Sequence, residues 1–288
     1  MVESKRIRRF RLSIAKDIPK FPNDKASLLS LEAKPLTSLL IDYANWAIRY
    51  VTPRPRTVSI EPTAMVDPRW RILSKEINSF LEKVRRGEDL TPHLSLRPHT
   101  QGFTPTAAAT GPNVDRWADK DQLLNIMGYH HFHLGLTLEP AGHTVRTDSV
   151  LFAAVTREQF EVVALFDHSV FERPRTPAEE MSPERERLWE IFDERSSRGL
   201  APGSVYAPSM IATSGHPVYI VRLAQHYAHV IREIDPKLDD PSYVRGLYQE
   251  MGVSPPPKPK LRWYIQHLKL GLLDEAAGAF AVFLHGPN

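Results

Sequence analysis

The sequence predicts an α+β protein in which a central antiparallel β-meander is flanked by helices. Two apolar runs, residues 150–155 and 160–166, are separated by the polar residues Thr156-Arg-Glu-Gln159, which is the pattern of a β-hairpin. An aromatic and leucine-rich run at residues 129–138 adds a third predicted strand. Outside this region, apolar residues recur every three or four positions, as they do in amphipathic helices.

The segment before the sheet, residues 1–97, is predicted to be mainly helical. Apolar side chains at helical spacing predict one helix over residues 36–51. A second helix is predicted over residues 68–86, because an aspartate-proline pair suits its start and Gly87 can end it. Residues 5–14 instead allow a strand, although their arginines interrupt the alternation.

The rest of the chain divides into three regions. Residues 98–118 are rich in Pro, Gly and Ala and are predicted to be a linker or exposed loop. Residues 119–175 hold a short helix and the histidine-rich sheet core, and residues 176–288 form a helical C-terminal region. The elements predicted there are helices from residue 183, over 217–234 and over 243–251, and closing strands over 261–265 and 280–284. The sequence leaves open whether all these regions form a single domain.

Composition and missing motifs exclude several kinds of chemistry. The chain has 288 residues and no cysteine, so disulfides, iron–sulfur clusters, thiolate metal ligands and a cysteine nucleophile are excluded. P-loop, dinucleotide-binding glycine, H-E-x-x-H and G-x-S-x-G motifs are missing, which disfavours P-loop nucleotide hydrolysis, dinucleotide redox chemistry and standard serine hydrolysis. No apolar run approaches about 20 residues, and no signal peptide is readable. We therefore expect a cytoplasmic protein without a membrane partner.

Histidine is the residue type that points most directly to chemistry. The chain has 12 histidines, and three of them stand in the run Tyr129-His-His-Phe-His133. Because successive side chains of a strand alternate, His131 and His133 are predicted to share one face, about 7 Å apart, with His130 on the other. Two imidazoles so placed can act as an acid–base pair or as two metal ligands.

A second group is formed by Arg146, Asp148, Asp167 and His168. A symmetric hairpin turn would place Asp148 opposite Asp167, with the arginine and the histidine close by. If residues 129–138 pair with residues 148–155, Phe152 lies near His133, and His168 lies roughly 16 Å away along the sheet. Ideal alternation would also put Asp167, rather than His168, on the face of His133, and only a bulge or a slip would reverse this. The sequence therefore leaves open whether the two groups form one site.

The histidines, the hairpin and Asp167-His168 together resemble metal-independent endoribonuclease toxins of the barnase, RelE and EndoU type. The resemblance covers about forty residues around the His130-His-Phe-His133 run. The longer run His-His-Phe-His-Leu-Gly also resembles that of a family of uncharacterised bacterial proteins.

The endoribonuclease resemblance implies a reaction without metal or cofactor. One imidazole accepts the proton of a ribose 2′-hydroxyl, a second protonates the departing 5′-oxygen, and arginine stabilises the charge on phosphorus. It further implies that His131, His133 and His168 are catalytic with Arg146, and that Arg146, Tyr129 and Asp167 contact an RNA substrate.

Two other functions remain open at this point. The first is a non-catalytic protein whose basic N-terminus and Arg54/Arg56 loop contact nucleic acid, a protein partner or an inhibitor. The second is a metal-dependent hydrolase with His131, His133 and Asp148 as ligands.

Overall fold

The computed structural model describes residues 3–105, 119–172, 176, 179–206 and 210–288. In these ranges the α-helices are, in chain order, α1 (Lys5–Asp17), α2 (Lys25–Glu32), α3 (Leu36–Ala47), α4 (Pro62–Met65), α5 (Pro68–Ile72), α6 (Ser74–Arg86), α7 (Arg97–Thr100), α8 (Gln122–Met127), α9 (Pro183–Ser197), α10 (Val218–Ile234) and α11 (Pro241–Glu250). The strands are β1 (Thr57–Ile60), β2 (Tyr129–His133), β3 (Ser149–Val155), β4 (Gln159–Asp167), β5 (Leu261–Gln266), β6 (Lys269–Asp274) and β7 (Ala279–Leu284). Short 3₁₀ helices cover Thr91–His93, His168–Phe171 and Asp235–Asp239.

The predicted α+β class and the antiparallel meander are confirmed. β2, β3 and β4 pair in order as antiparallel neighbours, and β1 joins the free edge of β4 in parallel, giving the strand order β1-β4-β3-β2. A second sheet of the order β5-β6-β7 is antiparallel throughout.

The chain divides into two compact units, each built from separated segments. The first unit comprises residues 1–48, 97–120 and 212–287, and the second comprises residues 49–96, 121–211 and 288. The first unit holds the three-stranded sheet and the pair α3 and α10, which pack on each other. The four-stranded sheet lies in the second unit.

The four-stranded sheet carries a separate apolar cluster on each face. On one face, Phe132 of β2 lies 5.1 Å from Phe80 of α6 and 5.4 Å from Phe160 of β4, measured between ring centroids. On the other face, Phe152 and Phe166 form a cluster with apolar side chains that include those of α9. The sheet is therefore covered by a helix on both sides, and its three antiparallel strands β2, β3 and β4 are mostly buried because of this.

Several sequence predictions need correction. Residues 5–14 are not a strand but belong to α1, in which the buried Phe10 and Ile14 lie one turn apart on the same helix face. The helix predicted over 68–86 is interrupted at Leu73, so that α5 and α6 are separate. β2, the strand predicted over residues 129–138, ends at His133.

Other predictions agree more closely with the structure. The helices over 36–51 and 217–234 correspond to α3 and α10, and the two closing strands correspond to β5 and β7, with β6 unpredicted between them.

Of the expected linker 98–118, residues 98–105 pack within the first unit, where Phe103 is buried. Residues 106–118 lie outside the described residues.

The centre of the phenylalanine cluster should determine the stability of the second unit. Phe132→Ala is expected to lower the free energy of unfolding by about 3–5 kcal/mol, because it removes a fully buried ring and leaves a cavity. Urea denaturation followed by circular dichroism measures this. Val66→Ala, at a side chain that is 80% exposed, is the control and should change stability by less than about 0.5 kcal/mol. A loss below about 1 kcal/mol for Phe132→Ala would contradict this packing.

Candidate functional site

The histidines of β2 point to the two faces that strand alternation predicts. The ring of His130 stacks on Phe132, with centroids 6.2 Å apart, on the face covered by α6. The ring of His131 contacts Phe152 on the opposite face, at 5.8 Å between centroids. His133 lies on this second face as well, because it is two residues farther along the same strand.

His168 lies against His133, which the sequence did not predict. The two rings stack with their centroids 5.6 Å apart and their planes inclined by 22°. The expected separation of roughly 16 Å is wrong for two reasons. The strand register places His133 opposite Val150, and Val150 opposite Phe166, which is two residues before His168. A bulge at the pairing of Phe152 and Ala153 also reverses the faces of the following β4 residues, so that Phe166 and His168 lie on the face of His133.

The turn that carries His168 is held by Asp167. Its carboxylate accepts hydrogen bonds from the backbone N–H and the hydroxyl of Ser169, at 2.9 and 2.6 Å. These hydrogen bonds from Ser169 lower the pKa of Asp167. The residue opposite Asp167 in the sheet is Ser149, not Asp148 as predicted. Asp167 therefore acts on the site as the cap of the turn.

One hydrogen bond fixes the tautomer of His168. Its Nδ1 lies 3.1 Å from the backbone oxygen of Asp148. A carbonyl oxygen can only accept, so Nδ1 carries a proton. In the neutral ring the lone pair is then on Nε2. The side chain of His168 is exposed, so this basic nitrogen belongs to a residue that solvent and solutes can reach.

His133 is a neutral imidazole at physiological pH. Only 6% of its surface is exposed, and burial lowers its pKa to about 4. The positive charge of Arg146, and any proton on the neighbouring imidazoles of His131, His168 and His93, act in the same direction. Its Nδ1 is buried without a hydrogen-bond partner among the described residues. The ring is therefore a poor proton donor in the resting protein, because almost none of it is protonated near neutral pH.

His131 lies at the other end of the same aromatic patch. Its ring is 4.9 Å from that of Phe171, and Phe171 is in turn 6.1 Å from His168. Its Nδ1 is 4.0 Å from a carboxylate oxygen of Asp121, the residue that caps α8. Phe171 thus lies between His131 and His168, and His168 stacks on His133. We call His131, His133 and His168 the histidine site.

The backbone of His133 is held by a buried pair that sequence reasoning missed. The ammonium group of Lys83 donates to Nε2 of His93 at 3.1 Å, and Nδ1 of His93 donates to the carbonyl oxygen of His133 at 2.7 Å. Burial lowers the pKa of His93, and the charge of Lys83 lowers it further. His93 is therefore neutral and bridges α6 to the end of β2. No local sequence signal marks it, since the contact joins residues 40 positions apart.

Tyr129 and Arg146, two further residues of the predicted site, lie in different surroundings. Tyr129 is buried, with its ring 6.1 Å from Phe192 and its hydroxyl accepting a hydrogen bond from Arg195 at 3.2 Å. Arg146 has an exposed side chain, and its charge is felt at His133, where it lowers the pKa. Arg146 is thus near the histidine site, whereas Tyr129 lies four residues before His133 on the strand and is part of the core.

The structure also shows the residues on which the two alternative functions depend, namely the basic surface and the possible metal ligands. Arg56 is buried and donates to the backbone oxygens of Thr156 and Thr52, so the expected basic loop is not an exposed pair of arginines. In the N-terminal helix, Arg6 pairs with Asp235 and Asp239. No three His, Asp or Glu side chains come together as metal ligands in the ranges that the structure covers, and His131, His133 and Asp148 do not do so.

Comparison with protein-family models, curated proteins and solved structures gives no match to this chain. None of the helices in the described ranges has the length and apolar character needed to cross a membrane.

The neutral state of His133 makes the stability of the protein depend on pH. In the unfolded chain the ring has a pKa of about 6.5, so between pH 6.5 and 4 the unfolded state binds the proton and the folded state does not. Acidification over this window should lower the free energy of unfolding of the wild type by about 3 kcal/mol more than that of His133→Phe, whose side chain cannot bind a proton. Urea denaturation at several pH values measures the difference. The exposed His229→Phe should follow the wild type, and parallel curves for wild type and His133→Phe would contradict the burial of a neutral ring.

Proposed function

We propose that this protein is a metal-independent endoribonuclease in which the histidine site performs acid–base catalysis on the phosphodiester backbone of RNA. The observation that supports this most strongly is the approach of His168 to His133, with His131 on the same face of the sheet. Two imidazoles, one as base and one as acid, together with a nearby arginine, are the groups that cleavage through a 2′-hydroxyl requires.

His168 is the proposed general base. Its Nδ1 proton is engaged by the backbone oxygen of Asp148, so Nε2 of the exposed ring is the nitrogen that can take up a proton. In the proposed reaction Nε2 removes the proton of the ribose 2′-hydroxyl. The 2′-oxygen then forms a bond to phosphorus while the bond from phosphorus to the 5′-oxygen breaks.

His131 is the proposed general acid. Its Nδ1 lies 4.0 Å from a carboxylate oxygen of Asp121, which places a negative charge beside the ring that would donate the proton. The proton passes from His131 to the departing 5′-oxygen, so the reaction leaves a 2′,3′-cyclic phosphate and a free 5′-hydroxyl. His133 is neutral and stacks on His168, so we assign it the role of positioning that ring.

Arg146 is the proposed phosphate ligand. It is exposed, and its positive charge acts on the same imidazole that contacts His168. A guanidinium group can stabilise the additional negative charge that develops on the phosphoryl oxygens during the reaction. Asp167 and Tyr129 have no place in this mechanism, since Asp167 caps the turn and Tyr129 is in the core.

Cleavage of RNA in the presence of EDTA tests the proposal. Wild-type protein should cleave single-stranded RNA without added metal, leaving 2′,3′-cyclic phosphate ends, and should not cleave the same sequence made of DNA, which has no 2′-hydroxyl. His168→Gln and His131→Gln should each lower kcat at least about 100-fold, the usual contribution of a general acid or base. His229→Gln is the matched control, because His229 is an exposed histidine of α10, and it should retain full activity.

Two results would contradict the proposal. One is RNA cleavage that requires a divalent metal or that survives in the His131/His168 double variant. The other is the lack of any cleavage by folded wild-type protein across a panel of RNAs that contains all dinucleotide steps.

A further inference from the structure

The first unit contains a second group of chemically competent side chains, formed by Ser214, His216 and Asp42. Asp42 lies on α3, and His216 lies two residues before the start of α10. Because α10 packs on α3, the two side chains come together. Both are buried, with 5% and 7% of their surface exposed, whereas Ser214 is exposed. The group thus has a buried interior and one hydroxyl at the surface.

The distances in this group follow the order serine, histidine, aspartate. The hydroxyl oxygen of Ser214 is 3.0 Å from Nδ1 of His216, and Nε2 of His216 is 3.7 Å from Oδ1 of Asp42. The second distance is longer than a hydrogen bond, and such contacts in catalytic groups often shorten only when substrate is bound. With the proton on Nε2, facing the carboxylate, Nδ1 is free to accept the proton of the serine.

Neighbouring groups hold this arrangement. Lys34 donates to the other oxygen of Asp42 at 2.6 Å, which leaves Oδ1 turned toward the histidine. The turn before His216 is closed by a hydrogen bond from the backbone N–H of Ala212 to the oxygen of His216 at 2.9 Å. Burial, Lys120 and Lys34 lower the pKa of His216 to about 3, so the ring is neutral near pH 7 and Nδ1 can accept a proton. Because the same surroundings disfavour the imidazolium that then forms, a base role for this ring depends on the carboxylate of Asp42 to stabilise it.

We propose that Ser214 is a nucleophile that His216 deprotonates and Asp42 orients, forming a second reactive centre that acts on esters. Nucleophile, base and orienting group in this order are recognised by their geometry and not by a sequence motif. The lack of a G-x-S-x-G motif therefore does not exclude a reactive serine. The proposal does not depend on the histidine site of the second unit.

The reaction has two steps. The serine oxygen forms a bond to the carbonyl carbon of the ester, its proton moves to Nδ1 of His216, and the bond to the alcohol oxygen breaks as that oxygen takes the same proton. Water then attacks the acyl group on Ser214, and His216 transfers a proton from the water to the serine oxygen. The products are the free acid and the alcohol, and Ser214 is regenerated.

Labelling with a fluorophosphonate tests the nucleophile directly. The serine oxygen replaces fluoride on phosphorus, and the adduct is located by mass spectrometry of a digest. On folded wild-type protein, Ser214 should be labelled at least 100-fold faster than Ser254, an exposed serine of the same chain. Ser214→Ala should lose the adduct, while Ser254→Ala should leave its rate unchanged.

The roles of His216 and Asp42 are tested on the rate of labelling. His216→Gln should lower the rate at least 100-fold, and Asp42→Asn, which keeps the shape of the side chain, should lower it about tenfold in protein that circular dichroism shows to be folded. If the histidine variant does not fold, the wild-type comparison of Ser214 with Ser254 decides. Equal labelling of the two serines, or an unchanged rate in folded His216→Gln, would overturn the proposal.

Discussion

β4 ends at Asp167 because the carboxylate of this residue caps a 3₁₀ turn, and the position of His168 follows from that ending. The register already places Phe166, and by alternation His168, on the face of His133, so the turn determines how His168 is oriented toward His133 and not which face it is on. The turn is fixed from α9 as well, since Glu184 accepts a hydrogen bond from the backbone N–H of Asp167 at 3.1 Å and the hydroxyl of Ser182 donates to the oxygen of Ser169 at 2.7 Å. The approach of the two rings thus depends on a few hydrogen bonds at the edge of the sheet.

A bulge in the hairpin contributes to the same arrangement. The register of β3 and β4 shifts between Phe152 and Ala153, so that Phe152 pairs with Ala164 while Ala153 pairs with Val162. Val150 of β3 pairs with His133 of β2 on one side and with Phe166 of β4 on the other. These three residues lie on the face covered by α9. The extra residue, Val163, changes which side chains of β4 share a face with the histidines.

The electrostatics of the site follow from burial at one end and exposure at the other. His133 and His93 are buried, and each is held neutral by the loss of solvent and by positive charges around it. His168 and Arg146 are exposed. A proton therefore moves at low cost only on the exposed part of the site, while the buried part holds the end of β2 in place. This division is why we assign chemistry to His168 and positioning to His133.

Local patterns predicted much of the fold and one part of the site. The helices α3 and α10, the hairpin of β3 and β4, and the faces of His131 and His130 all follow from spacing along the chain. The contact of His133 with His168 does not, because it depends on the bulge in the pairing of β3 and β4 and on the turn that follows β4. The Arg54/Arg56 loop was expected to contact a partner, yet Arg56 is buried with its donors on backbone oxygens. Long-range contacts of this kind, like those of His93 and Asp42, have no signature in a single sequence.

The most direct test of the histidine site is a long-range proton–nitrogen NMR spectrum of the imidazole rings at pH 7, with assigned histidines. The structure predicts a neutral His133, a His168 with its proton on Nδ1 in the neutral form, and nuclear Overhauser contacts between the protons of these two rings. A charged His133 at pH 7, or no contact between the rings, would contradict the account.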